Sequence, residues 1–186
     1  MIFFPISLNL ENKKILFVGA GNIAKAKIIK LLDFAKDITV ISKEIDEELK
    51  EYDLTLLEKE YEKGDIKGFD IVIVTANSIK LQEEIYKESR EEKILYNCAD
   101  ILELCDFTFT SILKKDDLVI SISTSGISPS FGKELKNYLD KIIPNSVGEF
   151  LNEMKNYRKT LPKGVSRMEF LRKKSSEYIE SWKNEK

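Results

Sequence analysis

The six-residue segment Gly19–Ala24 (GAGNIA) constrains the fold of this chain more than any other part of the sequence. It directly follows an apolar run, Lys14–Val18, and leads into a segment with apolar residues at helical spacing, Ile23–Phe34. In such a strand–turn–helix unit the first glycine permits a tight turn, the second lets a pyrophosphate approach the backbone, and the small third residue lets the helix pack against the sheet. Glycines also serve ordinary tight turns, but this position favours a dinucleotide-binding turn.

Short apolar runs and helical patterns alternate along much of the chain. Runs of Val, Ile and Leu without polar alternation are typical of strands buried on both faces of a parallel sheet. Strands are predicted over Lys14–Val18, Ile38–Ile41, Leu54–Leu57, Ile71–Thr75, Ile94–Asn97 and Leu118–Ser123, with helices over Ile23–Phe34 and Lys80–Glu91. This succession predicts an α/β fold, a Rossmann-type doubly wound parallel sheet.

After about residue 111 the sequence predicts a polar, hydroxyl-rich loop and then helices only. Ser128 before Pro129 is a candidate N-cap for a helix over Ser130–Ile143. Two further amphipathic helices are predicted over Val147–Thr160 and Ser166–Trp182. The predicted organisation is a dinucleotide-binding domain over 1–110, a linking segment over 111–145 and a helical C-terminal domain over 146–186.

The composition excludes several classes of chemistry. The 186 residues include no histidine, which rules out Ser-His-Asp and Cys-His catalysis and HExxH zinc sites within the chain. Cys98 and Cys105 fit neither a CxxC redox pair nor a zinc knuckle, so we expect reduced, buried thiols and no metal site. No run approaches the roughly 18 apolar residues of a membrane helix, and no signal-peptide pattern opens the chain, so a cytoplasmic location without a membrane partner is expected.

Charge is unevenly distributed along the chain. Residues 155–186 contain ten Lys or Arg against four Asp or Glu, whereas the whole chain carries a net charge of only −2. A basic C-terminal segment on an acidic body indicates an anionic partner, although a solvated helix face is the commoner meaning of such a run.

The remaining candidate cofactor residues lie where parallel strands end. The dinucleotide fingerprint usually includes an acidic residue at the end of the second strand, about 20 residues after the turn. The chain has Ser42, Lys43 and Glu44 there, and because Lys43 would tolerate a 2′-phosphate, these residues leave NAD and NADP open. Candidate cofactor-binding residues are Gly19, Gly21, Asn22, Ile23, Ser42, Lys43, Glu44, Thr75 and Ala76.

Two further features suggest chemistry beyond cofactor binding. Asp100 follows the fifth predicted strand at the sheet edge where ligands collect, so it is either a base that accepts a proton or a cap for the residues from Ile101. The stretch Ser121–Pro129 (SISTSGISP) places hydroxyl and N–H donors before a helix, an arrangement suited to binding carboxylates. Its candidate substrate-binding residues are Ser123, Thr124, Ser125 and Ser128.

Taken together, these motifs resemble the siroheme synthase N-terminal domain family, which comprises precorrin-2 dehydrogenases and bifunctional dehydrogenase/ferrochelatases. The resemblance covers about the first 145 residues in order and spacing. It rests on Phe4-Pro5-Ile6, Leu10, GAGNIA, Asn97-Cys-Ala-Asp100, Cys105-Asp106-Phe107 and ISTSGISP with the helix up to Pro144.

The resemblance implies NAD-dependent oxidation of precorrin-2 to sirohydrochlorin, a step toward siroheme and, in some organisms, cobalamin. It implies an essential role for Asp100, NAD contacts at Asn22, Ile23, Lys43 and Glu44, and a tetrapyrrole beside Ser123–Ser128. It also implies a homodimer that makes contact through about residues 109–144, with no nucleic-acid partner.

Two alternatives remain open at this point. The enzyme would also insert Fe²⁺ into sirohydrochlorin if it resembles the bifunctional members of the family. A non-catalytic NAD-sensing module, with basic C-terminal helices that contact DNA or a protein, would need only the GAGNIA turn and would have no use for Asp100 or the hydroxyl loop.

Overall fold

The structure, a computed structural model, describes residues 3–182. The chain divides into two compact units, one ending at Phe109 and the other beginning at Thr110. The predicted division into domains over 1–110, 111–145 and 146–186 stays a prediction. No helix within residues 3–182 is long and apolar enough to cross a membrane.

The first unit is built on a five-stranded parallel sheet with strand order β3-β2-β1-β4-β5. Its strands are β1 (Lys14–Val18), β2 (Asp37–Ser42), β3 (Thr55–Glu58), β4 (Ile71–Val74) and β5 (Leu95–Cys98), and its helices are α1 (Asn22–Leu31) and α2 (Ile79–Glu92). Short 3₁₀ helices lie at Glu47–Glu51 and Leu102–Leu104. This order matches five strands of the doubly wound dinucleotide-binding sheet, so the predicted fold class is confirmed.

Alternate residues of β1 face opposite sides of the sheet and separate two hydrophobic clusters. Ile15 and Phe17 pack with Ala24 and Ile28 of α1 in one cluster. Leu16 and Val18 lie in the other cluster with residues of α2, among them Ile85. Helices therefore cover both faces, which explains why β1 and β4 read as continuous apolar runs.

Two sequence predictions are wrong in this part of the fold. Helix α1 ends at Leu31 rather than at Phe34, because the chain turns there and the Phe34 and Ala35 N–H groups both donate to the Leu31 carbonyl. The strand predicted over Leu118–Ser123 does not join the parallel sheet. It is β7 (Leu118–Ile122), which pairs antiparallel with an unpredicted strand, β6 (Ser111–Lys115).

The second unit consists of this hairpin and three helices, α3 (Pro129–Ile142), α4 (Val147–Thr160) and α5 (Val165–Ser181). Half-buried and exposed positions alternate along β7, as expected of a strand with only one covered face. A small core forms around Leu113, Ile143 and Val147, and Trp182 packs against it.

Lys115 joins the hairpin to the end of α3. Its Nζ donates to the Asp140 and Ile143 carbonyl oxygens at 2.8 and 2.7 Å and to Asn145 Oδ1 at 3.1 Å. The side chain is only 12% exposed, and its charge lies beside the negative end of the helix dipole. Lys115 therefore caps the carbonyl groups that α3 leaves without intrahelical partners.

Replacing Lys115 by Met is expected to lower the free energy of unfolding of the second unit by about 1.5–3 kcal/mol, because charged hydrogen bonds to a helix end are lost. Trp182 is the single tryptophan, so urea titration followed by its fluorescence reports on this unit. Lys133→Met on the exposed side of α3 is the control and should change the value by less than about 0.5 kcal/mol. Equal stability of the two variants would contradict the capping role.

The Cys105-Asp106-Phe107 segment holds the outer strand β5 in place. Asp106 pairs with Arg90 of α2 and accepts the Tyr96 N–H at 2.8 Å, while the Phe107 carbonyl accepts from Asn97 Nδ2. The sulfurs of Cys105 and Cys98 lie 3.8 Å apart, and both residues are buried free thiols, as predicted. Burial raises the pKa of the Cys105 thiol to about 11, which makes it a poor nucleophile at neutral pH.

Candidate functional site

The GAGNIA turn brings together residues from three strands at the carboxyl edge of the sheet. Gly19 has a φ of +105°, and its N–H donates to the Ile41 carbonyl at 2.8 Å. A Cβ on Gly19 would lie 2.8 Å from Thr75 Oγ1 and 2.9 Å from the Ala76 nitrogen. Only glycine fits here, because the backbone conformation and the contact with the end of β4 both exclude a side chain.

Gly21 has a different role in the same turn. It is the N-cap of α1, in extended conformation, and a Cβ added to it would meet nothing within 4 Å. No side chain caps α1, its first turn holds no acidic residue, and Asn22 and Ile23 are exposed. This open glycine and uncapped helix start fit the pyrophosphate of a dinucleotide, which the N–H groups of such a helix start and the helix dipole would bind.

The end of β2 presents both a cation and carboxylates. Ser42 is half-buried, whereas Lys43 and Glu44 are exposed. Lys43 Nζ lies 2.5 Å from Glu60 Oε1, a surface ion pair that the sequence did not reveal. Because both partners of this pair are about 70% exposed, it contributes little to stability and leaves Lys43 able to change partner.

Asp100 is tied to the same sheet edge through Gln82 of α2. Gln82 Nε2 donates to Asp100 Oδ2 at 2.5 Å and to the Ala76 carbonyl at 3.0 Å. A flipped amide would place Oε1 against both acceptors, so these two bonds fix the orientation of the Gln82 side chain. The arrangement holds the exposed Asp100 carboxylate next to Ala76, one of the predicted cofactor residues.

The capping interpretation of Asp100 is wrong. The 3₁₀ helix after it begins at Leu102 with Ile101 as its cap residue, and no side chain caps it. Gln82 was missed by the sequence analysis. Its signal was a glutamine on the buried face of α2, one turn before Ile85, where an apolar residue is expected.

Gln82 also carries an unmatched acceptor. The residue is fully buried, and its Oε1 has no hydrogen-bond partner within the described residues. A buried acceptor without a partner is costly, which makes glutamine an unexpected choice for packing alone. The role of Gln82 therefore rests on the two hydrogen bonds that its Nε2 donates, to Asp100 and to the Ala76 carbonyl.

Lys27 is a second missed residue near this edge. Its Nζ donates to Oδ1 of the buried Asn97 at 2.7 Å and lies 4.9 Å from the centre of the Phe109 ring. Burial lowers the pKa of the Lys27 ammonium, and nearby Cys105, Cys98 and Asp100 partly oppose that shift. The sequence analysis placed Lys27 in the predicted helix and gave it no further role.

The hydroxyl loop lies in the second unit and uses much of its bonding capacity internally. Ser123 Oγ accepts the Ser125 N–H at 3.2 Å, and Thr124 Oγ1 accepts the Ser128 N–H at 3.1 Å. Ser128 is the predicted N-cap of α3, and its Oγ accepts the Phe131 N–H. Ser128 Oγ also lies 3.3 Å from Ser130 Oγ and shares a hydrogen bond with it. The Ser123 and Thr124 hydroxyls keep their own protons to donate, so the loop can still bind an anion.

Ser125 and Gly126 shape this loop through left-handed backbone conformations. Their φ values are +52° and +80°, and both residues are exposed at the tip together with Ile127.

Groups of three or more Cys, Asp or Glu placed to hold a metal ion are absent from residues 3–182.

Comparison with known proteins agrees with this geometry. A family model with the description "Putative NAD(P)-binding" matches residues 6–111, which include the GAGNIA turn, Ala76, Gln82 and Asp100. The chain belongs to this NAD(P)-binding family. The match covers the five-stranded sheet of the first unit and the turn at Gly19–Ala24.

Relatives with known names lie among the siroheme synthases, which confirms the resemblance seen in the sequence. The siroheme synthase of Buchnera aphidicola subsp. Acyrthosiphon pisum (strain APS) is 29% identical over 170 residues, 89% of this chain and 36% of that protein. That of Nitrosococcus oceani is 26% identical over 170 residues, with the same coverage. The chain thus spans about a third of the length of these curated relatives.

A solved structure shares the fold over most of the chain. SirC, a precorrin-2 dehydrogenase, superposes with a TM-score of 0.74 at 22% sequence identity, and the match covers 92% of this chain and 88% of that one. The likeness shows that the α/β sheet and the helical C-terminal region recur together in another protein.

Proposed function

We propose that this chain is an NAD-dependent precorrin-2 dehydrogenase that produces sirohydrochlorin. The observation that carries the proposal is the Asp100 carboxylate, which Gln82 holds beside Ala76 at the edge of the sheet that carries the dinucleotide turn. A dinucleotide-sensing module would need the turn but no anchored carboxylate. The names of the siroheme synthase relatives and of SirC support the choice of substrate.

The residues at the turn fit NAD. Gly21 and the uncapped start of α1 would hold the pyrophosphate, and Thr75 and Ala76 would border the adjoining ribose. Glu44 would bind the hydroxyls of the other ribose, while Glu60 would compete with the 2′-phosphate of NADP for Lys43 and so favour NAD. When bound, NAD supplies the hydride acceptor for the reaction.

Asp100 would complete the oxidation as a base. Removal of two hydrogens from the macrocycle sends one away as hydride with its bonding electrons and releases the other as a proton, while a new double bond forms. Oδ2 of Asp100 is engaged by Gln82, which leaves Oδ1 to accept that proton. Because the chain has no histidine, a carboxylate is the simplest base available for this step.

The hydroxyl loop and the dimer complete the proposal. Ser123, Thr124, Ser125 and Ser128 would donate hydrogen bonds to carboxylates of the tetrapyrrole.

A homodimer would form through about residues 109–144, where large apolar side chains are exposed. These are Val119, Ile127, Phe131 and Tyr138. Exposed large apolar side chains favour association where they are gathered at one surface. The sedimentation mass of the full chain tests whether the dimer forms.

The test of the activity is anaerobic incubation of the full chain with precorrin-2 and NAD. Formation of the sirohydrochlorin spectrum together with NADH is expected, and substitution of NADP should slow the reaction. Subsequent addition of Fe²⁺ or Co²⁺ shows whether the product is also metallated. A chain that binds NAD but leaves the precorrin-2 spectrum unchanged would contradict the proposal and favour the sensing module.

A further inference from the structure

A cavity of about 580 Å³ opens between α4 and α5 within the second unit. The turn between β6 and β7 borders it on one side through Asp117. Its volume lies within the range of about 300–1,000 Å³ typical of small-molecule sites. All of its lining residues come from residues 110–182, so the cavity belongs to this unit alone.

The lining combines an apolar floor with a cationic rim. The floor consists of Phe150, Leu151, Met154 and Leu171. The rim carries Lys155, Arg158 and Lys159 from α4 and Arg172 from α5, against the single carboxylate of Asp117. Residues 151, 154, 155 and 158 share one face of α4, because positions three and four apart are neighbours on a helix.

The rim cations lack the carboxylate partners that two other lysines of this unit have. Lys115 pairs with Asp140, and Lys173 is close to Glu177. None of the four rim cations has a carboxylate within 4.0 Å in the part of the chain that the structure describes. Gathering unpaired like charges costs free energy through mutual repulsion, and a bound anion would relieve that cost.

We infer that this cavity, formed by α4, α5 and Asp117, binds an amphipathic organic polyanion, a flat apolar ring system that bears several carboxylates. The apolar floor would contact the ring, and Met154 suits such a surface because its side chain adapts to irregular shapes. The rim would pair with the carboxylates. This use also gives a role to four of the ten Lys and Arg of residues 155–186, a basic segment to which the proposed dehydrogenase chemistry assigns none.

Two sources would present this chemistry. One is the carboxylated tetrapyrrole of the proposed reaction, and in that case the inference rests on the proposed function. The other is an unrelated carboxylated ring compound. The probes are therefore uroporphyrin, a macrocycle with a carboxylate on every side chain, and naphthalenetetracarboxylate, a smaller carboxylated ring.

The experiment measures the Kd of each probe for the full chain by fluorescence titration. The double variant Arg158→Glu/Arg172→Glu is expected to weaken uroporphyrin binding at least about tenfold, because two attractions become repulsions. Asp117→Asn should tighten binding about two- to fivefold, because it removes the single opposing charge. Raising the salt concentration should weaken binding to the unmodified chain and to Asp117→Asn.

The control is Lys36→Glu/Lys163→Glu, which makes the same change in net charge at exposed lysines outside the cavity. It should leave the Kd within about twofold, and circular dichroism checks the fold of each variant. Binding of both probes supports the general class of ligand, and binding of uroporphyrin alone supports the tetrapyrrole.

Several results would overturn the inference. They are a Kd insensitive to both cavity variants, an equal loss in the control pair, or no binding of either probe. The precorrin-2 assay on the unmodified chain is a separate measurement. If the chain does not oxidise precorrin-2 but its probe binding depends on the cavity residues, only the proposed function is contradicted. If the chain oxidises precorrin-2 but the Kd of the probes is the same in the cavity variants, only this inference is contradicted.

Discussion

Replacing Asp100 by Asn is expected to lower kcat for precorrin-2 oxidation about 10²–10⁴-fold, the range that a general base contributes. NAD affinity should stay within about twofold, because Asn keeps the size of the side chain and the GAGNIA turn is untouched. The measurement is the anaerobic initial rate at saturating NAD, with NAD binding followed by isothermal titration calorimetry.

Glu103→Gln is the matched control for this variant. Glu103 is an exposed carboxylate three residues after Asp100, on the short 3₁₀ helix at Leu102–Leu104. Its neutralisation should leave kcat unchanged. Full activity in Asp100→Asn, or an equal loss in both variants, would remove Asp100 from the proposed mechanism.

The role of Gln82 sharpens the same prediction. Gln82→Met would keep a buried side chain of similar length and remove the donor that holds Asp100 Oδ2. Because Asp100 would keep its charge but lose its position, we expect a smaller loss of kcat than in Asp100→Asn. The two losses should not add in the double variant, because both act on the same carboxylate.

Adding one methyl group at each glycine of the turn should separate folding from cofactor binding. Gly21→Ala is expected to leave the free energy of unfolding within about 1 kcal/mol, because its Cβ meets nothing within 4 Å. NAD affinity should fall at least about tenfold, because the methyl group would occupy the space through which the pyrophosphate approaches. Calorimetric titration with NAD and urea denaturation measure the two effects.

Gly19→Ala should instead destabilise the first unit by about 2–6 kcal/mol. A left-handed φ costs about 1–3 kcal/mol, and the close approach of the new Cβ to Thr75 Oγ1 and the Ala76 nitrogen adds about 1–3 kcal/mol. Gly64→Ala is the control, because Gly64 has a φ of +107° with nothing within 4 Å of an added Cβ. A loss in Gly19→Ala no larger than in Gly64→Ala would show that contact with the end of β4 is unimportant.

Much of the first unit was predictable because its signals are local. The turn at Gly19–Ala24 requires glycine for conformational reasons, and the strands β1, β2 and β4 are apolar because helices cover both faces of the sheet. Predicted bounds of these strands lie within one residue of the observed ones. The second unit was harder, because β6 and β7 are half-exposed and their pairing depends on a neighbour rather than on either strand alone.

The sequence by itself determined the class of the fold, the dinucleotide turn and the location of Asp100 after a strand, since residue type and short-range spacing decide each of these. Only the tertiary structure decided that Gln82, eighteen residues before Asp100, anchors its carboxylate, and that Lys27 reaches Asn97 seventy residues away. It also gathered the cations of two helices around one cavity. Such contacts depend on how helices and strands pack, and no local pattern encodes that geometry.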